Sequence, residues 1–249
     1  MNGADRLVQL IDSEAGRLLC LVDEPFLRVL REYSTVYDLA LAALAAGDRL
    51  GAFARAHVGS VSIRYDAVGD GAGGGLRFLP AIDHPSEPAR CHISGTGLTH
   101  RRSVDTRQAM HGADVAVTDS QRMYDLGVAG GRPEPDAVGV APEWFYKGNG
   151  LILRGHEEPL VMPAHAEDGG EEPELAGVYV IDRGGVPRRI GMAAGNEFSD
   201  HELERRNYLY LAPSKLRMCA LGPELVLDPD FADVRGEVAI ERDGGVLWS

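Results

Sequence analysis

Two short apolar runs, Leu7 to Ile11 and Arg17 to Val22, are split by the turn-forming stretch Ser13 to Gly16, a pattern that predicts a β-hairpin. The period then changes. Tyr37, Leu41, Leu44 and Ala45 recur at helical spacing behind Ser34 or Thr35. Asp38 stands at capping-box distance from Thr35, and Gly47 ends the run. A strand is expected at Val61 to Tyr65. The glycine-rich stretch Gly69 to Gly75 and the Pro-containing loop Asp83 to Pro88 then place a soft boundary near residue 88. Beyond Arg90 strands dominate, with short helices expected at Asp105 to His111 and Ser120 to Leu126 and a loop at Ala129 to Asp136. The expectation is an α+β protein: a small N-terminal α/β domain over 1–88 and a larger strand-rich domain over 89–249.

Composition narrows the function. The chain has 249 residues, a net charge of −13, and 31 glycines that separate its apolar runs. Affinity for a phosphate backbone is built from Lys and Arg that displace counterions, so no nucleic-acid partner is expected. The most continuous apolar run, Leu39 to Ala46, is far shorter than the ~20 residues that span a bilayer, so no membrane partner is expected either. The first residues lack a basic segment followed by an apolar one, which leaves the cytoplasm as the expected location. Cys20, Cys91 and Cys219 are widely spaced without a CxxC pair, and reduced packing roles are expected for them.

The segment Glu172 to Asp182 alternates like a strand, so Glu172 and Glu174 emerge on the same face. With Gly184-Gly185 as a two-residue hairpin turn, Glu197 falls directly opposite Glu172. Three facing carboxylates repel unless something neutralises them, and a divalent cation would do so. Oxygen ligands with positions left open suit Mg²⁺, or Mn²⁺, better than zinc. Pro187 cannot donate to a ladder and requires an edge or irregular position. The stretch Ala166 to Glu174 also reads as an acidic solvated loop.

The order Gly-Leu-Thr-His100, Pro142-Glu-Trp-Phe-Tyr-Lys147, Glu172-x-Glu174, Asn-Glu197-Phe-Ser199, Ser-Lys215 and Leu-Gly-Pro223 resembles the fumarylacetoacetate hydrolase superfamily over about residues 89 to 226. The wording NEFSDHELERRNYLYLAPSK and CALGPEL is most similar to its 2-keto-3-deoxy-arabonate dehydratase branch. The resemblance implies a mixed β-roll catalytic domain and a homodimer. It places metal ligands at Glu172, Glu174 and Glu197, and active-site lysines at Lys147 and Lys215. The superfamily's His/Glu dyad is broken here, because Ser103 stands three residues after His100 where the Glu is found. Its catalytic domain also continues past the Leu-Gly-Pro motif, so a chain ending at Ser249 is expected to lack part of the roll.

The functional expectation is a Mg²⁺-dependent lyase that dehydrates a 2-keto-3-deoxy sugar acid to a dioxo acid. The alternatives are a C–C bond hydrolase or decarboxylase acting on an acylpyruvate, and a truncated non-catalytic homologue. Lys215 is expected near the chemistry as base or as cation, against the plainer reading of a surface lysine pairing with Glu204. Glu143 is a candidate acid or base, unless it pairs with Lys147 along a helix. His100 is a candidate proton-transfer group on a lid. Lys147, Arg102 and Ser103 are candidate substrate-binding residues. His111, His156, His165 and His201 are expected to be structural or exposed.

Overall fold

The structure, a computed structural model, describes residues 4–69, 75–97, 101–102, 104–105, 117–140, 143–228 and 234–249, without the side chains of Ser120 and Tyr208. The first hairpin forms as its pattern predicts: β1 (Arg6–Asp12) pairs antiparallel with β2 (Gly16–Asp23), which pairs with β3 (Phe26–Leu30). Helix α1 (Val36–Ala46) follows, with Thr35 Oγ1 accepting from Asp38 N at 3.1 Å and Gly47 closing its C-terminus. Its buried positions Val36, Leu39, Ala40 and Ala43 fall at helical spacing and form one stripe. Helix α2 (Leu50–Ala56) leads into β4 (Val58–Arg64), longer at its start than the strand expected there.

Strands β5 (Arg77–Phe78), β6 (His92–Gly97), β7 (Glu143–Asn149) and β8 (Leu153–Arg154) come next, with α3 (Asp119–Gly130) between β6 and β7. The helix expected at Ser120 to Leu126 is thus present and longer, since Thr118 caps it and apolar burial does not set its end. The helix expected at Asp105 to His111 lies almost wholly outside the described residues. The chain continues through β9 (Pro173–Ile181), β10 (Pro187–Asn196), α4 (His201–Arg206), α5 (Leu211–Lys215), β11 (Cys219–Leu221) and β12 (Glu224–Val226). A last hairpin joins β13 (Ile240–Arg242) to β14 (Gly245–Trp248).

One ten-stranded sheet runs through the molecule in the order β4-β3-β2-β1-β12-β10-β11-β8, with β5 added to β1 and β9 to β10. The sheet crosses residue 88, because Leu7 of β1 pairs with Leu225 of β12. The N-terminal strands are antiparallel, which the short turns between them require. A core on one face joins Leu7, Leu19 and Leu39 from the N-terminal segment to Val178, Ile190 and Leu225. Val8, Leu10, Cys20, Leu27 and Phe78 fill the other face. Gln9 is buried on the same face as Leu7; its amide donates to Pro80 O and Asp83, and its Oε1 accepts from Val36 N at the start of α1. β10 is therefore tied to the N-terminal sheet on one side and carries the hairpin partner β9 on the other.

Candidate metal centre

The β9–β10 hairpin sets the site. Its loop differs from the expected one. Asp182 N donates to Val186 O and Gly185 N to Asp182 O, each at 2.9 Å, so three residues, Arg183 to Gly185, make the turn. Gly185 takes φ +79°, the left-handed conformation that such loops need and glycine adopts without strain. The extra residue is offset by a bulge at Ile190, after which Gly195 faces Glu174 and Asn196 faces Pro173. Two departures cancel, and Glu197 N donates to Glu172 O at 2.9 Å, the opposition that the shorter turn also predicts. Pro187 sits at the first position of its strand, where a missing N–H does least harm.

Glu172, Glu174 and Glu197 offer ligand oxygens that all lie within 4.8 Å of one another. Two lysines reach the cluster from other elements. Lys147 on β7 is buried, and Nζ donates to Glu197 Oε1 at 2.6 Å, Lys215 O at 2.8 Å and Phe198 O at 3.1 Å. All three ammonium hydrogens are thereby committed within the protein. Lys215 at the end of α5 meets Glu172 Oε1 and Glu204 Oε1 at 2.8 Å, and Glu197 Oε2 and Ser199 Oγ at 2.9 Å. The Phe145 ring centroid lies 5.3 Å from its Nζ.

The charges act on one another strongly. Burial works to lower the Lys215 pKa, but Glu172, Glu197 and Glu204 outweigh it and raise it, so this lysine is an ammonium group. Burial pushes Glu197 up to about 7, helped by the hydrogen bond and charge of Glu172 and opposed by both lysines. Glu172 is held well below the usual carboxylate range: burial opposes this, and His201, Glu197 and Lys215 prevail. Glu174, although the residue is exposed, has its pKa raised by local desolvation of its carboxyl and by the charge of Glu172.

No protein-family profile matches the sequence. A probable 2-keto-3-deoxyxylonate dehydratase from Haloferax volcanii is 31% identical over 112 residues, spanning 43% of this chain and 37% of that protein. The chain thus aligns with little more than a third of the curated relative's length. A 2-keto-3-deoxyarabinonate dehydratase structure superposes with TM-score 0.63 at 20% identity, covering 98% of this chain and 75% of the other. A 2-keto-3-deoxy-D-arabinonate dehydratase complexed with magnesium and 2,5-dioxopentanoate gives TM-score 0.61 at 21% identity, covering 98% and 74%. A fumarylacetoacetate hydrolase from Exiguobacterium antarcticum gives 0.50 at 13% identity, covering 90% and 67%. The chain has the fumarylacetoacetate hydrolase fold.

In this fumarylacetoacetate hydrolase fold the donor set fits a hard divalent cation. Glu172, Glu174, Glu197 and Glu204 outnumber the ammonium groups of Lys147 and Lys215 by two charges when all are ionised, and every candidate ligand atom is a carboxylate oxygen. Glu174 and Glu197 line a cleft of about 610 Å³ that also reaches Lys147, Tyr37, Arg90 and Cys219.

The other candidates fall differently. Glu143 lies on a strand, so the helical pairing with Lys147 does not form; it stands four residues before Lys147, with its side chain over Gly97. Arg102 is exposed. His100 and Ser103 lie outside the described residues.

Five residues around the cluster were given no role in the site by sequence. Ser199 donates to Glu197 Oε1 at 3.0 Å. Glu204 binds Lys215, so the pairing expected of a surface lysine does occur, but with a lysine that is buried. Asp200 and Arg217 form a buried ion pair at 3.1 Å beneath the site. His201, expected to be structural or exposed, is half-buried, with Nε2 3.0 Å from Glu172 Oε1. The signal for Ser199, His201 and Glu204 is the capped helix start at Asp200, three residues after Glu197, which folds the first turn of α4 back over the carboxylates.

Proposed function

We propose that this protein is a divalent-metal-dependent hydro-lyase that removes water from a 2-keto-3-deoxy sugar acid to give a dioxo acid. The observation that carries this reading is the clustering with Lys215 of three carboxylates, Glu172, Glu174 and Glu197, of which Glu174 and Glu197 line a cleft. Support for the substrate class comes from the relatives, whose names specify dehydratases of 2-keto-3-deoxy acids. Mg²⁺ would be held by Glu172, Glu174 and Glu197, and Mn²⁺ suits the same oxygen donors. When bound, the ion supplies Lewis acidity toward the carboxylate and carbonyl oxygens of a 2-keto acid.

The chain's residues supply the rest. Dehydration removes a proton from C3 and expels the C4 hydroxyl as water, so it requires a base and an acid. Lys215, kept protonated by Glu172, Glu197 and Glu204, serves as a fixed positive charge that holds the carboxylates together and not as a base. Lys147 holds Glu197 in place, its hydrogens already spent on protein oxygens. Glu143 and His100 are the groups we assign to proton transfer, with Arg102 and Ser103 on the substrate side.

Purified protein with Mg²⁺ should convert 2-keto-3-deoxy-arabonate to a dioxo acid, followed by proton NMR. If the sugar acid stays intact while an acylpyruvate is cleaved, the protein is a C–C bond hydrolase and the proposal is wrong. Binding of Mg²⁺ and oxalate without turnover of either substrate would indicate a non-catalytic homologue.

A further inference from the structure

Glu172 is held by donors as well as facing the other carboxylates. Glu172 Oε1 accepts from two donors, His201 Nε2 at 3.0 Å and Lys215 Nζ at 2.8 Å. On the other side of the imidazole, His201 Nδ1 faces Asp168 Oδ2 at 3.7 Å. Both ring nitrogens therefore look at carboxylates, one from each end of the segment 168–172.

The ring is also fixed sterically. A Cβ on Gly170 would fall 2.4 Å from both Cε1 and Nδ1 of His201, so the imidazole lies directly against the Gly170 backbone. Gly170 is itself pinned, since its N–H donates to Ser199 O at 2.8 Å and its carbonyl accepts from Ser199 N at 2.9 Å. His201 opens α4, whose cap Asp200 is fully buried. A backbone bridge, a helix start and a glycine seat thus converge on one ring position.

We infer that His201, seated on Gly170, is a positioning residue of the metal centre: it occupies Glu172 Oε1 and thereby presents the other oxygen of that carboxylate to the cation. The inference rests on the metal-site reading above. Partners that orient ligating carboxylates typically account for ~10–100-fold in metal affinity. Asp168 and Gly170 belong to the acidic stretch that sequence alone also reads as a solvated loop; here that stretch forms the seat.

The test uses the full chain and Mn²⁺ alone, with free Mn²⁺ followed by electron paramagnetic resonance and folding checked by circular dichroism. His201→Phe keeps a ring of similar size without a donor and should weaken Mn²⁺ binding by ~10–100-fold. His201→Gln restores an N–H donor and should recover most of the affinity, which a purely space-filling role would not predict. Gly170→Ala displaces the imidazole while leaving it in the sequence and should weaken binding in the same direction, so it carries the test if the Phe variant does not fold. Mn²⁺ affinity unchanged in both His201→Phe and Gly170→Ala, alongside loss in Glu174→Gln, would overturn the role of His201 and leave the metal site standing. Absence of Mn²⁺ binding in the parent protein would overturn both.

Discussion

Removing the Asp200 carboxylate tests how the candidate site is held. Asp200 is fully buried and accepts from Leu203 N at 3.0 Å, Glu167 N at 2.9 Å and Arg217 Nη2 at 3.1 Å. In Asp200→Ala the guanidinium of Arg217, whose side chain is 1% exposed and whose Nε already lacks a partner, stays buried with its counter-charge gone. Breaking a buried ion pair from one side costs about 3–5 kcal/mol. For a protein of this size that is a fall of roughly 6–20 °C in melting temperature. Urea unfolding by circular dichroism gives the free energy directly. Arg217→Met combined with Asp200→Ala should cost less than the two single changes together, with a coupling of about 0.5–3 kcal/mol. A loss below about 1 kcal/mol for Asp200→Ala, or strict additivity, would refute the reasoning. The pH dependence has a definite sign. Burial works to raise the Asp200 pKa, but Leu203 N, Glu167 N and Arg217 prevail and hold it below the ordinary aspartate value. Its contribution is therefore present above that value and is lost as pH falls through the lower folded pKa.

Three further outcomes are expected. Glu174→Gln, at an exposed position, should leave stability within about 0.5 kcal/mol yet abolish Mg²⁺-dependent binding of oxalate in calorimetry. Because burial and Glu172 push Glu197 up to about 7, metal binding at pH 6.5 should release a proton that is no longer there to release at pH 8.5. Calorimetry in buffers of different ionisation enthalpy measures this, and equal release at both pH values would contradict the assignment. Thr35→Ala removes the cap of α1, accepted from Asp38 N at 3.1 Å, and should cost about 1 kcal/mol in urea unfolding without changing metal affinity.

The sequence by itself determined the local elements and the carboxylates. The first hairpin and α1 follow from apolar period and a cap, which are short-range properties. Glu172 and Glu174 share a face because a strand has period two, and Glu197 opposes them because a hairpin ties register to its turn. The register near the carboxylates came out as that arithmetic requires, although the turn is one residue longer and a bulge at Ile190 takes up the difference. The lysines were legible only through motif resemblance, since nothing in local spacing brings β7 or α5 to the β9–β10 hairpin.

The tertiary structure alone decided the rest. It joined β1 to β12 across more than two hundred residues of chain, a pairing that no window of sequence can contain. It brought Ser199, His201 and Glu204 over the carboxylates because Phe198, at φ +52°, turns the chain sharply between β10 and α4. It buried Asp200 against Arg217 and seated His201 on Gly170. The physical reason is range: backbone period fixes which face a residue occupies, whereas the partner on that face is chosen by packing between distant segments, and charge is paired or left free only once they meet.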